Sequence, residues 1–300
     1  MQLTQILINY RTLHNLTQSE VVERLSQDSV FANLDVNTYS RWERGSTTPN
    51  LTKIVKILCL LNEYQYIEDM VFTSLNDNRA EQIERIIDKR FSVQHPGLST
   101  PFIGALAPEK TKKTTLTEED IQRYTPIHAR CFDEPLESNF RREQISNIEL
   151  YEVFDVNDQI IGHFIFQIAP LSVCIPDLPR VLQQASRGFW YNVLKEDVMC
   201  LHILSEYSSS SEAFMYRNKI YKDVLLQRGV KIGLSKVYDL SIFQLLDKRD
   251  SWVFEKGPLF SKGIRWANKR YRWIKCLHRV DQLLSWELLW VWDMKNKKPH

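Results

Sequence analysis

The chain has 300 residues, of which 43% are hydrophobic and 25% are charged, and its formal net charge is +2 at pH 7. This length predicts two domains, and the apolar content is sufficient for a real core, which excludes a chain too polar to fold. The small positive balance allows a polyanionic partner but does not by itself argue for one.

The five cysteines are scattered along the chain, and none has the C-x-x-C spacing. Such a set predicts reduced thiols and argues against a disulfide framework or a zinc site. His128 and Cys131 could share one helix face, but two ligands without a second pair make a poor metal site, so we expect no metal. There is no signal-peptide pattern, and no apolar run approaches about 18 residues. We therefore expect a cytoplasmic protein with no membrane partner.

The first sixty residues predict a bundle of short helices. Helical spacing of apolar residues is present in LTQILINYRTLHN. Thr17, with Glu20 three residues later, forms a capping box that begins a second helix. Asp35 is a candidate N-cap for a third helix that ends at Gly45. Asn50 is placed to cap a fourth, apolar helix, LTKIVKILCLL.

The third of these helices has a polar leading edge. In a helix-turn-helix, the second helix of the pair lies in the major groove and reads bases with its leading residues. Here those residues are Val36, Asn37 and, one turn later, Arg41. Asn and Arg side chains suit adenine and guanine edges, and a valine can contact a thymine methyl group. Gln18, at the start of the preceding helix, is placed to donate to a phosphate.

The stretch TQSEVVERL…LDVNTYSRWERGSTTPNLTKIVKIL resembles the XRE, or lambda-repressor-like, family of helix-turn-helix domains over about the first 62 residues. The resemblance implies a five-helix bundle that binds double-stranded DNA, with a buried ion pair between Arg11 and Glu43. It also implies that Asn37 and Arg41 read bases. The residues expected along the DNA backbone are Gln18, Thr38, Arg44, Ser46 and Thr47. One departure is the longer turn SQDSVFAN, which we expect to change the angle between the two helices. A bundle that mediates protein contacts is the alternative.

Residues 76–115 are predicted to be a helix and linker between a DNA-binding domain at residues 1–75 and a second domain at residues 116–300. The apolar stripe of an amphipathic helix is present in NDNRAEQIERIIDKRF, and this helix either packs on its own chain or pairs with a second copy. The stretch that follows is SVQHPGLSTPFIGALAPEKTKKTTLT, which has prolines, glycines and hydroxyl residues but little periodicity.

From Leu116 onward, the pattern predicts alternating helices and strands. These are a helix capped by Thr117, a hairpin in IELYEVFDVNDQIIGHFIFQIAP, a strand in DVMCLHILSEY, a helix ending at Gly229, a strand in VKIGLSKVYD and a helix in LSIFQLLDKRD. This order resembles the GNAT acetyltransferase fold over about residues 116–280. We therefore predict an α + α/β chain, in which the N-terminal five-helix bundle joins a C-terminal mixed α/β, GNAT-like domain.

The resemblance to GNAT enzymes implies a [QR]-x-x-G-x-[GA] loop that binds the pyrophosphate of acyl-CoA through backbone N–H groups. The corresponding stretch here is SEYSSSSEAFMYRNK, in which only Ala213 fits and no glycine is present. The hydroxyls that could bind a phosphate are those of Ser208, Ser209, Ser210 and Ser211. Glu212 would repel a phosphate, and a helix-capping loop is the alternative. We expect no catalytic residue and no cofactor, while an acyl-CoA-like or other hydrophobic ligand is left open.

Two features near the C-terminus have more than one interpretation. Between Gly257 and Val280 there are seven Lys and Arg residues and no Asp or Glu, with aromatic residues interleaved. This composition fits a second nucleic-acid or phosphate surface, or an edge hairpin whose basic side chains face water. The apolar stretch SWELLWVWDM closes the core, lines a pocket or forms a dimer seam.

We therefore predict a cytoplasmic, sequence-specific transcriptional regulator that binds double-stranded DNA as a homodimer. Its C-terminal domain is expected to sense a small-molecule effector, to dimerise, or both. One alternative is an N-acyltransferase fused to a DNA-binding autoregulatory domain, and the degenerate cofactor loop argues against it. Another is an interaction module that grips a protein partner through its Trp-rich tail.

Overall fold

The computed structural model describes residues 2–74, 77–91, 107–132, 134–185, 189–227, 229–238, 243 and 251–296. Five α-helices form the N-terminal part, which confirms the predicted five-helix bundle. They are α1 (Leu3–Leu13), α2 (Gln18–Ser26), α3 (Val36–Glu43), α4 (Leu51–Leu60) and α5 (Ile67–Ser74).

Local hydrogen bonds determine where these helices begin and end. Thr17 Oγ1 accepts a hydrogen bond from the Glu20 N–H at 3.2 Å, and the Glu20 carboxylate accepts one from the Thr17 N–H at 2.7 Å. Asn50 Oδ1 accepts from the Lys53 N–H at 3.0 Å. These bonds satisfy N–H groups that have no partner within the helix. After α3, Gly45 has a φ of +69°, the left-handed conformation typical of a helix C-terminus.

The C-terminal part contains eight α-helices and nine strands whose bounds lie among the described residues. The helices are α6 (Asp77–Phe91), α7 (Glu118–Phe132), α8 (Leu171–Cys174), α9 (Leu178–Gln184), α10 (Phe189–Lys195), α11 (Ser211–Gln227), α12 (Val280–Leu284) and α13 (Val291–Asn296). The strands are β1 (Lys110–Thr115), β2 (Ile148–Phe154), β3 (Ile160–Pro170), β4 (Met199–Ser208), β5 (Ile232–Val237), β6 (Trp252–Lys256), β7 (Leu259–Trp266), β8 (Lys269–Tyr271) and β9 (Ile274–Arg279).

One mixed sheet with the strand order β1-β2-β3-β4-β5-β9-β6 forms the framework of this part. β4 and β5 are parallel and pair at three positions, from Cys200–Ile232 to His202–Leu234. The other neighbouring strands are antiparallel. Both β4 and β5 continue beyond their last pair, so the sheet opens between them. β7 and β8 form a separate two-stranded sheet.

The predicted fold class is confirmed, and the predicted hairpin is present as β2 and β3. Its turn contains Asp158 with a φ of +61°. The helix predicted in LSIFQLLDKRD lies outside the described residues apart from Phe243, which is helical.

Several elements of the fold were not predicted from the sequence. β1 lies in the stretch assigned to the linker and pairs with β2 along its whole length. Its sequence KTKKTT has no apolar alternation, because an exposed edge strand is held by its backbone and is protected from aggregation by its charges. The short helices α8, α9 and α10 between β3 and β4 were also not predicted.

The two parts share a continuous core. Buried residues of the N-terminal bundle and of the sheet belong to one cluster, and α4 packs on α12. In the SWELLWVWDM stretch, Trp290 is fully buried, donates from Nε1 to the Leu284 carbonyl at 2.8 Å and meets Phe72 edge-on at 5.9 Å.

Helix α6 packs on its own chain, since Ile83 and Ile87 cluster with residues of α11 and α13. Within the described residues, no helix has both the length and the apolar character needed to cross a membrane.

Candidate nucleic-acid interface

The leading edge of α3 is the first candidate surface. The Asp35 carboxylate accepts hydrogen bonds from the backbone N–H and the Oγ1 of Thr38, at 2.8 and 2.9 Å. The backbone bond from Thr38 is the main cause that lowers the pKa of Asp35. Val36, Asn37 and Arg41 are all exposed, Val36 to 37%. The three residues predicted to read bases therefore lie on the solvent side of α3.

The opposite side of α3 holds the helix against the bundle. Tyr39 is 0% exposed and Trp42 is 7% exposed, and their rings meet edge-on at 6.3 Å. The Trp42 carbonyl accepts a hydrogen bond from Thr4 Oγ1 at 3.1 Å. Burial of two large aromatic side chains on one side of a short helix orients it, so the polar side faces outward.

Glu43 is 5% exposed and connects α1, α2 and α3. Its Oε1 accepts a hydrogen bond from Arg11 Nε at 2.8 Å, and its Oε2 accepts one from Gln18 Nε2 at 2.6 Å. The structure thus contains the ion pair that the family resemblance implied, and this hydrogen bond raises the pKa of Arg11. Gln18 was expected to contact a phosphate but is held by Glu43. Because an amide nitrogen carries two hydrogens, the second can still donate to a phosphate.

The other residues expected along the DNA backbone differ in how accessible they are. Arg44, Ser46 and Thr47 are exposed immediately after α3, and Arg44 Nε donates to the Ser40 carbonyl at 3.3 Å. Thr38 is half-buried, and its hydroxyl is used by the Asp35 cap. Three of these four side chains are therefore exposed to solvent, whereas the Thr38 hydroxyl is bonded to the residue that caps α3.

The long turn between α2 and α3 is folded. Asp28 Oδ1 accepts from the Val30 N–H at 2.9 Å and begins a 3-10 helix, Ser29–Phe31. Phe31 is 2% exposed and meets Trp42 edge-on at 6.4 Å. The extra residues in SQDSVFAN thus bring a core side chain against α3 and place a carboxylate, Asp28, towards the C-terminal part.

Asp28 belongs to a cluster of four charged side chains, which we call the interdomain ion cluster: Asp28, Lys56, Arg279 and Asp281. Lys56 Nζ lies 2.9 Å from Asp28 Oδ2 and 3.5 Å from Asp281 Oδ2, and Lys56 is 2% exposed. Arg279 Nη2 lies 2.8 Å from Asp281 and 3.5 Å from Asp28. Burial raises the pKa of Asp281, while Arg279 opposes that shift. Two cations and two anions thus join the turn that precedes α3 to the end of β9.

The interdomain ion cluster was not predicted from the sequence. A signal was present, because Lys56 interrupts the apolar run LTKIVKILCLL at a position that the helix buries. A lysine on a buried face requires a carboxylate partner. Which carboxylates serve could not be read from the sequence, since Asp28 and Arg279 are 251 residues apart.

The serine-rich stretch opens α11. Ser210 Oγ accepts from the Ala213 N–H at 3.1 Å, so Ser210 acts as a helix cap. The hydroxyls of Ser208 and Ser209 are buried and have no hydrogen-bond partner within the described part of the chain. Ser211 is half-buried. The capping interpretation thus holds for Ser210, while two hydroxyls beside it have unused hydrogen-bonding capacity.

Polar side chains bridge the opening between β4 and β5. Asn139 Nδ2 donates to the Leu204 carbonyl on β4 at 3.1 Å, and its Oδ1 accepts from Lys236 Nζ on β5 at 3.4 Å. Burial acts against ionisation of Glu134, but hydrogen bonds from His128, Lys236 and a tyrosine outweigh it and lower the pKa of Glu134 to about 2. The chain's own side chains thus link the two strands where their backbones part.

Behind this bridge lies a serine between two histidines. Ser205 Oγ is 2.9 Å from His128 Nδ1 and 2.9 Å from His163 Nε2. Burial lowers the pKa of His163 to about 3, so its ring is neutral near pH 7. His128, which the sequence placed beside Cys131 as a weak metal candidate, is therefore engaged with Ser205. In the described residues, no group of three His, Cys, Asp or Glu side chains is placed to hold a metal.

Comparisons with known proteins separate the two parts of the chain. Residues 7–65 match the family model described as helix-turn-helix. No curated protein matches the sequence. Among solved structures, Arabidopsis thaliana NAA60 in complex with a bisubstrate analogue is similar, with 11% identity, a TM-score of 0.35 and coverage of 57% of this chain and 98% of that one.

Two further structures cover a similar share of the chain. The polyamine N-acetyltransferase of Drosophila melanogaster has 9% identity, a TM-score of 0.33 and coverage of 57% of this chain and 100% of that one. An arylalkylamine N-acetyltransferase 2 of Aedes aegypti has 12% identity, a TM-score of 0.31 and coverage of 56% and 98%. At these values the structural likenesses carry no argument about activity. Residues 7–65 are thus similar to the helix-turn-helix family, and this similarity supports a DNA-binding regulator.

Proposed function

We propose that the protein is a sequence-specific transcriptional regulator that acts in the cytoplasm. In this proposal α3 enters the major groove, where Val36, Asn37 and Arg41 contact base edges. The observation that carries the proposal is the division of α3 into two sides. Its aromatic side chains are buried, while the amide and guanidinium groups on the other side are exposed.

Contacts with the DNA backbone complete the interface in this proposal. Arg44, Ser46 and Thr47 lie beside α3, and Gln18 lies at the start of α2. The hairpin of β7 and β8 supplies a second basic surface, because its exposed side chains include Lys262, Arg265, Lys269 and Arg270. Such contacts add affinity that depends on salt and carries little sequence preference.

The C-terminal part is proposed to control the angle of α3. The support is the interdomain ion cluster, since Asp28 lies in the turn that leads into α3 and Arg279 ends β9. A ligand or partner that shifts β9 would change this cluster and thereby the orientation of α3. Binding as a homodimer would raise affinity for a two-fold symmetric site through avidity.

An acyl-CoA-like ligand is proposed to bind near Ser208 and Ser209, whose hydroxyls have no hydrogen-bond partner among the described residues. The runner-up function, an N-acyltransferase, is favoured by the buried serine between His128 and His163. The absence of glycine from SEYSSSSEAFMYRNK counts against it. Release of free thiol from acetyl-CoA would establish the enzyme, and stabilisation by acyl compounds without thiol release would establish the sensor.

The decisive experiment selects DNA sequences from a random pool with the full chain and then measures affinity for the selected site. Arg41→Ala should lower that affinity by about 1–3 kcal/mol and relax the preference at one position. Arg85→Ala is the matched control, because Arg85 is exposed on α6, outside the bundle. Unchanged preference and affinity in Arg41→Ala would remove Arg41 as a base reader. Failure to select any sequence would overturn the proposed function.

A further inference from the structure

Two cysteines, Cys174 of α8 and Cys200 of β4, lie in one buried cluster on a face of the sheet. Ala169 of β3 lies directly opposite Cys200 of β4. The short helix α8 follows β3 and returns over this face, which places Cys174 Sγ 3.8 Å from the Ala169 carbonyl. α8 packs on β4, which brings the side chains of Cys174 and Cys200 into the same buried cluster. The two residues are 26 apart in sequence, and no sequence pattern pairs them.

The two sulfurs differ in their access to solvent. A cavity of about 240 Å³ lies beside α8 and is lined by Cys174 and His202, with Arg180 and Lys275 at its wall. Cys174 is 7% exposed, whereas Cys200 is 0% exposed and does not line the cavity. A small solute entering the cavity therefore reaches Cys174 first, with Cys200 behind it.

The surroundings also give the two thiols different acidities. A hydrogen bond from Cys200 is the largest influence on the pKa of Cys174. Together with His202 it outweighs burial and lowers the pKa of the Cys174 thiol below its ordinary value. Burial raises the pKa of Cys200 well above its ordinary value. Cys174 is thus the more acidic of the two thiols and the one that more readily supplies the nucleophilic thiolate, while Cys200 holds its proton.

We propose that Cys174 and Cys200 form a redox-active dithiol, which a small peroxide entering this cavity oxidises to an intramolecular disulfide. The Cys174 thiolate attacks one peroxide oxygen, so an S–O bond forms and the O–O bond breaks. The departing hydroxide takes a proton and leaves as water. The Cys200 sulfur then attacks the Cys174 sulfenic acid, forming the S–S bond, and the hydroxyl group leaves with the Cys200 proton as a second water. Cellular thiols restore the reduced pair.

The position of Cys200 connects this dithiol to the DNA-binding part. Cys200 pairs with Ile232 of β5, and Ile232 pairs with Arg279 of β9, so the three residues form one row across the sheet. Arg279 belongs to the interdomain ion cluster, and its guanidinium lies 4.0 Å over the ring of Phe189. Phe189 packs on the apolar cluster that contains both cysteines. A disulfide draws α8 towards β4 and changes the packing of this cluster. It therefore changes the position of Phe189, whose ring supports the Arg279 guanidinium.

The first experiment uses the wild-type full chain and does not require DNA. The reduced protein is treated with hydrogen peroxide at pH 7, alkylated and digested without reductant, and its peptides are mapped by mass spectrometry. We expect a peptide that joins Cys174 to Cys200 and disappears with dithiothreitol. Before oxidation, Cys174 should alkylate at least about tenfold faster than Cys276, a fully buried thiol on β9. Oxidation of Cys174 to sulfinic acid without the joined peptide would overturn the proposal.

The second experiment tests the connection to DNA and rests on the proposed function. Peroxide should change the affinity of the wild-type chain for its selected site by at least about threefold. Cys174→Ser and Cys200→Ser should abolish that response, and Cys276→Ser should retain it. An unchanged affinity despite a mapped disulfide would overturn the connection to α3. If the untreated chain binds no DNA, the proposed function fails, but the peptide map still decides whether the dithiol exists.

Discussion

Lys56→Met tests whether the interdomain ion cluster holds the two parts together. The substitution retains the apolar stem of a side chain that is 2% exposed and removes its charge, leaving Asp28 and Asp281 with Arg279 as the remaining cation. Removing one partner of a buried ion pair costs about 3–5 kcal/mol. Because Arg279 still compensates part of the negative charge, we expect the lower end, about 3 kcal/mol.

The free energy of unfolding of the full chain in urea measures this cost, and thermal unfolding gives a parallel value. At about 2–4 °C per kcal/mol for chains of 150–250 residues, the midpoint should fall by about 6–12 °C. Lys53→Met is the matched control, because Lys53 is exposed one turn earlier on the same helix, and it should stay within about 0.5 kcal/mol of the wild type. A Lys56→Met variant as stable as Lys53→Met would refute the reasoning. Restoration of stability by adding Asp28→Asn would support it.

Three further outcomes are expected. Phe31→Ala should lower the free energy of unfolding by about 3–5 kcal/mol, because it leaves a cavity where the buried ring packs against α3. A loss below about 1 kcal/mol would show that the long turn does not support that helix. The pKa of Glu134 is about 2 in the folded chain and about 4.3 in the unfolded chain. Because the folded value is the lower one, ionised Glu134 should stabilise the fold fully above about pH 5, and this stabilisation should be lost as the pH falls towards 2. Glu134→Gln should remove that part of the pH dependence, and an identical pH profile would contradict the assignment. Replacing Lys262 and Lys269 with Gln should reduce the slope of the logarithm of the DNA association constant against the logarithm of the salt concentration by about 1.8, without altering the preferred site. The control Lys195→Gln should leave this slope unchanged. An unchanged slope in the double variant would show that the hairpin does not contact DNA.

Short-range signals allowed much of the N-terminal bundle to be predicted. The capping pairs of Thr17 and Asn50 and the glycine at position 45 act over a few residues, so their hydrogen bonds can be read from neighbours in the sequence. The same locality explains why α3 was placed correctly with its polar residues on one side. The hairpin of β2 and β3 was predictable for a related reason, because alternating apolar residues flank a recognisable turn.

The sequence by itself determined the helix boundaries of the N-terminal bundle, its exposed polar edge and the order of the main strands, because each depends on residues close together in the chain. Only the tertiary structure decided that Gln18 is held by Glu43, that the strand KTKKTT joins the sheet and that Cys174 shares a buried cluster with Cys200. It also decided that Lys56 meets Asp28 and Asp281. Such contacts arise where distant segments are brought together by burial of a common core, and side-chain type alone does not specify which of several carboxylates or thiols will be neighbours.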